Sequence, residues 1–203
     1  MILSRSSASA VGIVILTVAC NSEPDNESSA SREGMETVAR YNESSKPEGI
    51  SGPNEAVTQT YYIPHAALGD MYELSAAKIA LARTHNPDVR LFAEAMLVDH
   101  QRTSEAIKDF VDETAVNIAL PQNLDDRHEA MLKNLRSASD AQFDHVYLGQ
   151  QAAAHQKAYY LHKSYATNGA NEDLAKVAGR IASIVQKHRE RLEKLQQQTP
   201  GKD

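Results

Sequence analysis

The periodic placement of apolar residues from about residue 58 onward constrains the fold of this chain more than any other feature. These residues recur every three or four positions, which is the period of a helix with one buried face. Ala, Leu, Gln, Glu and Lys are abundant, whereas Trp is absent and Phe occurs three times. This composition favours helices over strands. No alternating apolar and polar run indicates a strand, so the sequence predicts an all-α domain.

Capping and helix-breaking residues divide this region into five predicted helices. They cover roughly residues 63–85, 87–115, 124–136, 140–168 and 172–197. Pro64 is expected in the first turn of the first helix or at a kink in it. Because the loops between long helices are short, consecutive helices are expected to be antiparallel neighbours. The predicted fold is therefore an antiparallel four-helix bundle with one extra short helix.

The ends of the predicted helices carry specific capping signals. Asn86-Pro87-Asp88 predicts a helix start, because Asn caps free N–H groups, Pro fits the first turn and Asp favours the positive end of the dipole. The predicted N-caps of the last three helices are Asn123, Ser139 or Asp140, and Asn171. Gly169 is expected to end the fourth helix in the left-handed conformation.

The N-terminus has the layout of a bacterial export signal. One basic residue, Arg5, precedes an apolar run over residues 10–19, and a polar segment follows Cys20. The run is too short to span a membrane, which takes about 20 apolar residues. We interpret residues 1–19 as a lipoprotein-type signal peptide with Cys20 as the lipidated residue. Thr17 stands where Leu is usual in such signals, so ordinary cleavage after Ala19 is the alternative.

Composition predicts the remaining organisation. Residues 20–57 are rich in Ser and acidic residues and poor in apolar ones, which predicts a disordered tether. The helical bundle is assigned to residues 58–198 and a C-terminal tail to 199–203. The formal net charge is −6 and there is no basic cluster, which argues against nucleic-acid binding. Since Cys20 is the only cysteine, an internal disulfide and a cysteine-based metal site are excluded.

Four histidines lie on the apolar stripes of four different predicted helices and are candidate metal ligands. They are His100, His128, His155 and His188, and the carboxylates that could join them are Glu73, Asp99 and Asp144. Histidine and carboxylate together suit Fe, Mn, Zn or Cu. The alternative is that each imidazole is a structural residue bonded to a nearby Asp, Gln or Tyr, since a buried polar group needs a partner. The other histidines, His65, His85, His145 and His162, are predicted at the surface or at helix ends.

Common catalytic motifs are absent from the sequence. A di-iron site of the bundle type needs Glu-x-x-His on two helices, and no such motif occurs; Asp125-x-x-His128 is the nearest approximation. A Gly-rich phosphate loop, a Gly-x-Ser-x-Gly elbow and a His-Glu-x-x-His pair are also missing. No catalytic residue is therefore predicted, and a di-iron oxidase is disfavoured.

Several stretches resemble the domain of unknown function 4142 (DUF4142) family of bacteria. These are 66–73 (AALGDMYE), 86–93 (NPDVRLFA) leading to Asp99-His100, 124–128 (LDDRH), 143–148 (FDHVYL) with Gln151 and His155, and the closing His188. The resemblance covers about residues 60–195 and implies a ferritin-like helical bundle that is exported and often lipid-anchored or periplasmic. It implies no established activity.

The family pattern also bears on the candidate site. It places Glu73, Asp99, His100, His128, Asp144, His155 and His188 among its characteristic polar positions. The chain departs from the pattern at Ala154, where the family commonly has an acidic residue, and at Leu68-Gly69, where Gly-Gly is common. The first departure weakens a charged environment around His155.

The functional prediction follows from these features. We expect a protein of the cell envelope, either an outer-membrane lipoprotein facing the periplasm and held to the membrane through Cys20, or a soluble periplasmic protein. Its bundle is expected to bind a transition metal. The alternative is a structural or interaction module without metal that binds another envelope protein.

Overall fold

The computed structural model describes residues 52–114 and 116–199. Within these ranges the chain forms five α-helices and no strand, which confirms the all-α prediction. They are α1 (Gln59–Arg83), α2 (Pro87–Thr114), α3 (Asp126–Ser137), α4 (Phe143–Asn168) and α5 (Glu172–Gln198). The predicted signal peptide, Cys20 and most of the predicted tether and tail lie outside the described residues.

The helix starts follow the capping signals in part. The Asn86 side chain accepts the backbone N–H groups of Asp88 and Val89, and the Asn171 side chain accepts that of Leu174, so both predicted caps are confirmed. The first helix begins earlier than predicted because the Thr58 hydroxyl accepts the backbone N–H of Tyr61 at 3.2 Å. Pro64 consequently lies in the second turn of α1 rather than in the first.

Three other predictions about helix ends are wrong. The N-cap of α3 is Asp125 and not Asn123, since the Asp125 carboxylate accepts the backbone N–H of His128 at 2.8 Å. The α4 helix begins only at Phe143, because residues 140–142 form a turn and the Asp140 carboxylate instead pairs with Arg83 at 2.7 Å. Gly169 follows α4 with φ −65° and ψ 134°, which is extended and not left-handed.

The four long helices each pack against two others, in the pairs α1–α2, α1–α4, α4–α5 and α2–α5. Tyr62 near the start of α1 bonds to His162 near the end of α4, and Tyr72 further along α1 bonds to Gln150, so these two helices are antiparallel. Loops of three residues join α1 to α2 and α4 to α5, which makes each of these pairs antiparallel as well. Helices α2 and α4 therefore run in the same direction, and the segment 115–142, which includes α3, connects them along the length of the domain.

A layer of buried polar residues divides the core into two apolar clusters. One cluster, near α3, includes Phe92 and Met96 of α2, and the other includes Ile107 of the same helix. His100 and Thr103 lie between these two groups and are buried. The same order holds on the other long helices, where the buried polar residues between the clusters are Asp70 and Glu73 on α1, His155 on α4 and His188 on α5. This layer contains the candidate site.

None of the described helices combines the length and the apolar character needed to cross a membrane.

Candidate metal centre

Three of the predicted histidines meet in the buried polar layer. His100 on α2, His155 on α4 and His188 on α5 each offer a ring nitrogen, and these three atoms lie within 4.8 Å of one another. The Nε2 atoms of His100 and His155 are 3.4 Å apart, and His155 Nε2 is 3.2 Å from His188 Nδ1. All three residues are buried, so the described part of the chain contains a group of imidazoles that could hold a metal ion.

The second ring nitrogen of each histidine is fixed by an oxygen acceptor. His100 Nδ1 donates to the Asp70 carboxylate at 2.8 Å, and His188 Nε2 donates to the Asp99 carboxylate at 3.0 Å. His155 Nδ1 donates to the backbone carbonyl of Gln151 at 2.9 Å, one turn earlier on α4. Because a carbonyl or carboxylate oxygen can only accept, the proton of each neutral imidazole resides on this outer nitrogen. This assigns the tautomer of all three rings.

The tautomers leave three lone pairs facing one another. A neutral imidazole carries a single N–H, and in each ring that N–H is directed outward. In the neutral rings the inner nitrogens of His100, His155 and His188 are therefore all acceptors, with 3.4 Å between His100 and His155 and 3.2 Å between His155 and His188. Facing lone pairs repel unless a cation lies between them. One added proton satisfies one pair, whereas a metal ion at the centre satisfies all three nitrogens together.

Further polar groups support the ligand set from α1 and α2. The Asp70 carboxylate accepts a second hydrogen bond from the Thr103 hydroxyl at 2.9 Å, which fixes the oxygen that holds His100. The Glu73 carboxylate accepts from the Gln151 side-chain amide at 2.7 Å, and its other oxygen lies 3.5 Å from His155 Nδ1. Carboxylates behind metal-binding imidazoles fix the ring orientation and increase the basicity of the ligand nitrogen.

The carboxylates of Asp70, Glu73 and Asp99 make the electrostatic potential at the site negative. Burial raises the pKa of Glu73 from 4.5 to about 7, although the charge of His100 and the hydrogen bond from Gln151 oppose this. Burial alone would lower the pKa of His100, but its hydrogen bond to Asp70 and the charges of Asp70, Glu73 and Asp99 raise it above the ordinary value. The carboxylates thus favour positive charge at the centre of the group.

The other two imidazoles are held in the neutral form. Burial lowers the pKa of His155 well below its ordinary value, and the charges of His100 and His188 act in the same direction. Burial also lowers the pKa of His188 to about 4, against the opposing hydrogen bond to Asp99. Neutral imidazole is the form that binds metal. His155 and His188 therefore present ligand-competent nitrogens at neutral pH, whereas a metal ion would have to displace the proton that the carboxylates favour on His100.

The structure brings together some of the residues that the sequence singled out and separates others. Asp99 and Glu73 lie behind the imidazoles, where they contact the outer nitrogens. His128 lies apart: its Nδ1 bonds to the Asp125 carboxylate at 2.6 Å and its ring packs against Tyr72. Asp144 lies outside the histidine group and is half-buried near the start of α4.

Sequence reasoning missed two residues of this layer and misplaced a third. Asp70 and Thr103 were not expected to contact His100, although Asp70 stands three residues before Glu73 and so shares its helix face. His162 was predicted at the surface or at a helix end; it lies near the end of α4 but is not at the surface, because it is buried and its Nδ1 bonds to the Tyr62 hydroxyl at 2.9 Å. Burial lowers the pKa of His162 to about 3, so this ring is neutral.

Comparison with known proteins places the chain in a family and agrees with the helical fold. No curated protein matches it. The crystal structure of a DUF305 fragment from Deinococcus radiodurans is similar, with a TM-score of 0.59 and 14% sequence identity over 67% of this chain and 93% of that chain. At this identity the similarity concerns the fold alone. The family model of DUF4142, a domain of unknown function, matches residues 45–195, which is most of the chain and confirms the resemblance found in the sequence. The chain therefore belongs to the DUF4142 family.

Proposed function

We propose that this protein binds one divalent transition-metal ion between His100, His155 and His188. The observation that carries the proposal is the inward arrangement of three imidazole nitrogens, each on a ring whose outer nitrogen is held by an oxygen acceptor. Tetrahedral ligands at a metal–nitrogen distance of about 2.0–2.1 Å are about 3.4 Å apart. The separations of 3.4 Å between His100 and His155 and 3.2 Å between His155 and His188 match this value, and the nitrogens of His100 and His188 lie within 4.8 Å of each other. The arrangement therefore fits a metal without large movement of the helices.

The ligand chemistry favours zinc or copper among the four metals considered. Imidazole nitrogen suits Zn, Cu and Fe, whereas Mn prefers oxygen ligands. The atoms that face the centre are all nitrogens, and the nearby carboxylates of Asp70, Glu73 and Asp99 bond to other groups. The carboxylates of Asp70 and Asp99 behind the ligands, joined by Glu73 where it is ionised, favour a divalent ion over a monovalent one. The proposed ion is Zn²⁺ or Cu²⁺, with Fe²⁺ next in order.

The arrangement of the helices supports a ferritin-like bundle as the scaffold of this site. Ferritin-like bundles have one long crossover connection among four helices. Here the connection from α2 to α4 spans residues 115–142, whereas the other two connections between long helices contain three residues each. A site in the middle of such a bundle draws its ligands from facing helices, as proposed here for α2, α4 and α5.

The proposed location is the cell envelope, with lipidated Cys20 as the membrane anchor. The support is the sequence alone: a short apolar run before Cys20 and a polar segment after it. Fractionation of cells that produce the full chain tests the anchor. The wild-type protein is expected in the membrane fraction and the Cys20→Ser variant in the soluble periplasmic fraction. Equal distribution of the two proteins would remove the anchor from the proposal.

Elemental analysis of the full chain, produced in medium supplemented with each metal in turn, tests the metal site. We expect about one ion per chain for zinc or copper, because a single group of three imidazoles is available. The double variant His100→Ala/His155→Ala is expected to bind none. His128→Ala is the matched control, since this histidine lies on α3 outside the group, and it is expected to keep the ion.

The opposite result has a clear meaning. If the wild-type chain binds none of the metals, the imidazole group is a polar layer of the core, and the protein is the structural or interaction module that the sequence left as the alternative. Elemental analysis also identifies which of the metals the protein retains.

A further inference from the structure

The three imidazoles differ in how firmly their outer nitrogens are held. His155 is fixed to the backbone of its own helix, and His100 is fixed to Asp70, which also accepts from Thr103. The side chains of His100 and Asp70 are almost fully buried, with 4% and 5% exposed. These two ligands are therefore enclosed on the outer side by the protein.

His188 is held by a partner that reaches the surface. The Asp99 side chain is 30% exposed, and its Oδ2 accepts from His188 Nε2. Its other oxygen, Oδ1, lies 3.7 Å from the guanidinium of Arg102, whose side chain is 72% exposed. An exposed ion pair of this length is weak and opens readily. The connection between solvent and the site thus runs through Asp99 and His188.

The packing of the helices is consistent with access from solvent to the site past Asp99 and His188. Asp99 is on α2 and His188 is on α5, and these two helices pack less closely than the other three neighbouring pairs of long helices. A hydrated divalent ion that approaches this seam meets the Asp99 carboxylate before any other acidic group of the site. It also meets the positive charge of Arg102, which must move aside before both Asp99 oxygens are free.

From these contacts we infer that metal enters and leaves the centre between α2 and α5, and that the Asp99–Arg102 ion pair acts as a latch on this route. While the pair is closed, Arg102 holds Asp99 against His188 and keeps the imidazole in place. When the ion pair opens, Asp99 and His188 move outward together, and the ion bound to His188 exchanges with solvent. The inference depends on the proposed metal site.

Rate measurements on the full chain test the latch. Stopped-flow mixing with Zn²⁺ gives the association rate, and transfer of bound Zn²⁺ to an excess of a chromophoric chelator gives the dissociation rate. Arg102→Gln opens the latch, so both rates are expected to rise by about two- to fivefold, the factor that corresponds to one exposed ion pair. The dissociation constant is then nearly unchanged, because both rates rise together.

Lys108→Gln is the matched control. Lys108 is also on α2, is also exposed and is also paired with an acidic residue, Asp112, but it lies two turns beyond Arg102. This variant loses the same charge and is expected to keep both wild-type rates. Circular dichroism of both variants confirms that the helices are intact.

Two results would overturn the inference while leaving the metal site in place. If Arg102→Gln speeds association but slows dissociation, Arg102 acts only as a nearby positive charge that disfavours the ion. If neither rate changes, the ion uses another route. Absence of Zn²⁺ binding in the wild-type chain is a different outcome, which removes the proposed site and the latch together.

Discussion

The buried carboxylate of Glu73 makes a specific prediction about stability. Its pKa is raised from 4.5 to about 7, so the native state binds a proton more tightly than the unfolded state between these values. The contribution of Glu73 to the free energy of unfolding must therefore fall as pH rises through this window. A difference of about 2.5 pH units at about 1.4 kcal/mol each corresponds to about 3 kcal/mol of lost stability at pH 8.

The substitution Glu73→Gln removes this loss. Glutamine has nearly the same shape, and its side-chain oxygen can still accept from Gln151, which bonds to Glu73 at 2.7 Å in the native protein. We expect the metal-free variant to be more stable than the metal-free wild type by up to about 3 kcal/mol at pH 8 and by much less at pH 4.5.

Urea unfolding followed by circular dichroism, after removal of metal with a chelator, measures this difference at both pH values. Histidines that do not interact with Glu73 cancel in the difference between the two proteins, which therefore reports Glu73 together with its interaction with His100. Glu94→Gln is the control, because Glu94 is an exposed residue of α2. A variant that is less stable than the wild type, or whose gain is independent of pH, would show that Glu73 is not a strained buried acid.

Further predictions concern the residue that holds His100, the space around two glycines, and the loss of stability at low pH. Asp70→Asn replaces the acceptor that holds His100, so zinc affinity in a competition titration is expected to fall about 10- to 100-fold. Gly169→Ala places a methyl group 2.5 Å from a ring carbon of the preceding turn and is expected to cost about 1–3 kcal/mol in urea unfolding. Gly69→Ala, where an added methyl meets no atom within 4 Å, is expected to gain about 0.5–1 kcal/mol. Because burial lowers the pKa of His188 from 6.5 to about 4, its native state binds fewer protons than the unfolded state in this window, and this residue should cost the metal-free protein up to about 3 kcal/mol as pH falls from 6.5 to 4. The difference in the free energy of unfolding between metal-free wild type and His188→Gln measures this cost without the opposite contribution of Glu73, and a difference that stays constant over this range would contradict the assignment.

Helical periodicity was sufficient to predict the fold class and to place three of the four candidate histidines on inward faces. Each of His100, His155 and His188 follows the apolar stripe of a long helix, and the stripe must face the core. The same reasoning placed His128 on the stripe of a short helix. That helix packs against α1 and α4. The side chain of His128 bonds to Asp125, the N-cap residue of the same helix.

Contacts between helices that are distant in sequence could not be predicted from spacing. His162 is buried because Tyr62, 100 residues earlier, supplies its hydrogen bond. Asp70 of α1 bonds to His100 of α2. This contact depends on how the two helices are aligned along their axes, which the apolar pattern of each helix does not specify. The start of α4 was misplaced for a related reason, since Asp140 pairs with Arg83 of α1 and is not available as a cap.

Metal binding at the proposed site would be coupled to stability through the buried layer, and this coupling would distinguish the site from a structural polar core. A ligand that binds only the native state at 100 times its dissociation constant adds about 2.7 kcal/mol to the free energy of unfolding. A divalent ion between the imidazoles would also stabilise the Glu73 carboxylate, which lies 3.5 Å behind His155. The gain from Glu73→Gln at pH 8 should therefore shrink when Zn²⁺ is present, since the ion removes the penalty that the substitution removes. Urea unfolding of both proteins with and without Zn²⁺ gives this coupling as a double difference. If Glu73→Gln stabilises equally in both conditions, the ion is bound too far from Glu73 to lie between these three histidines.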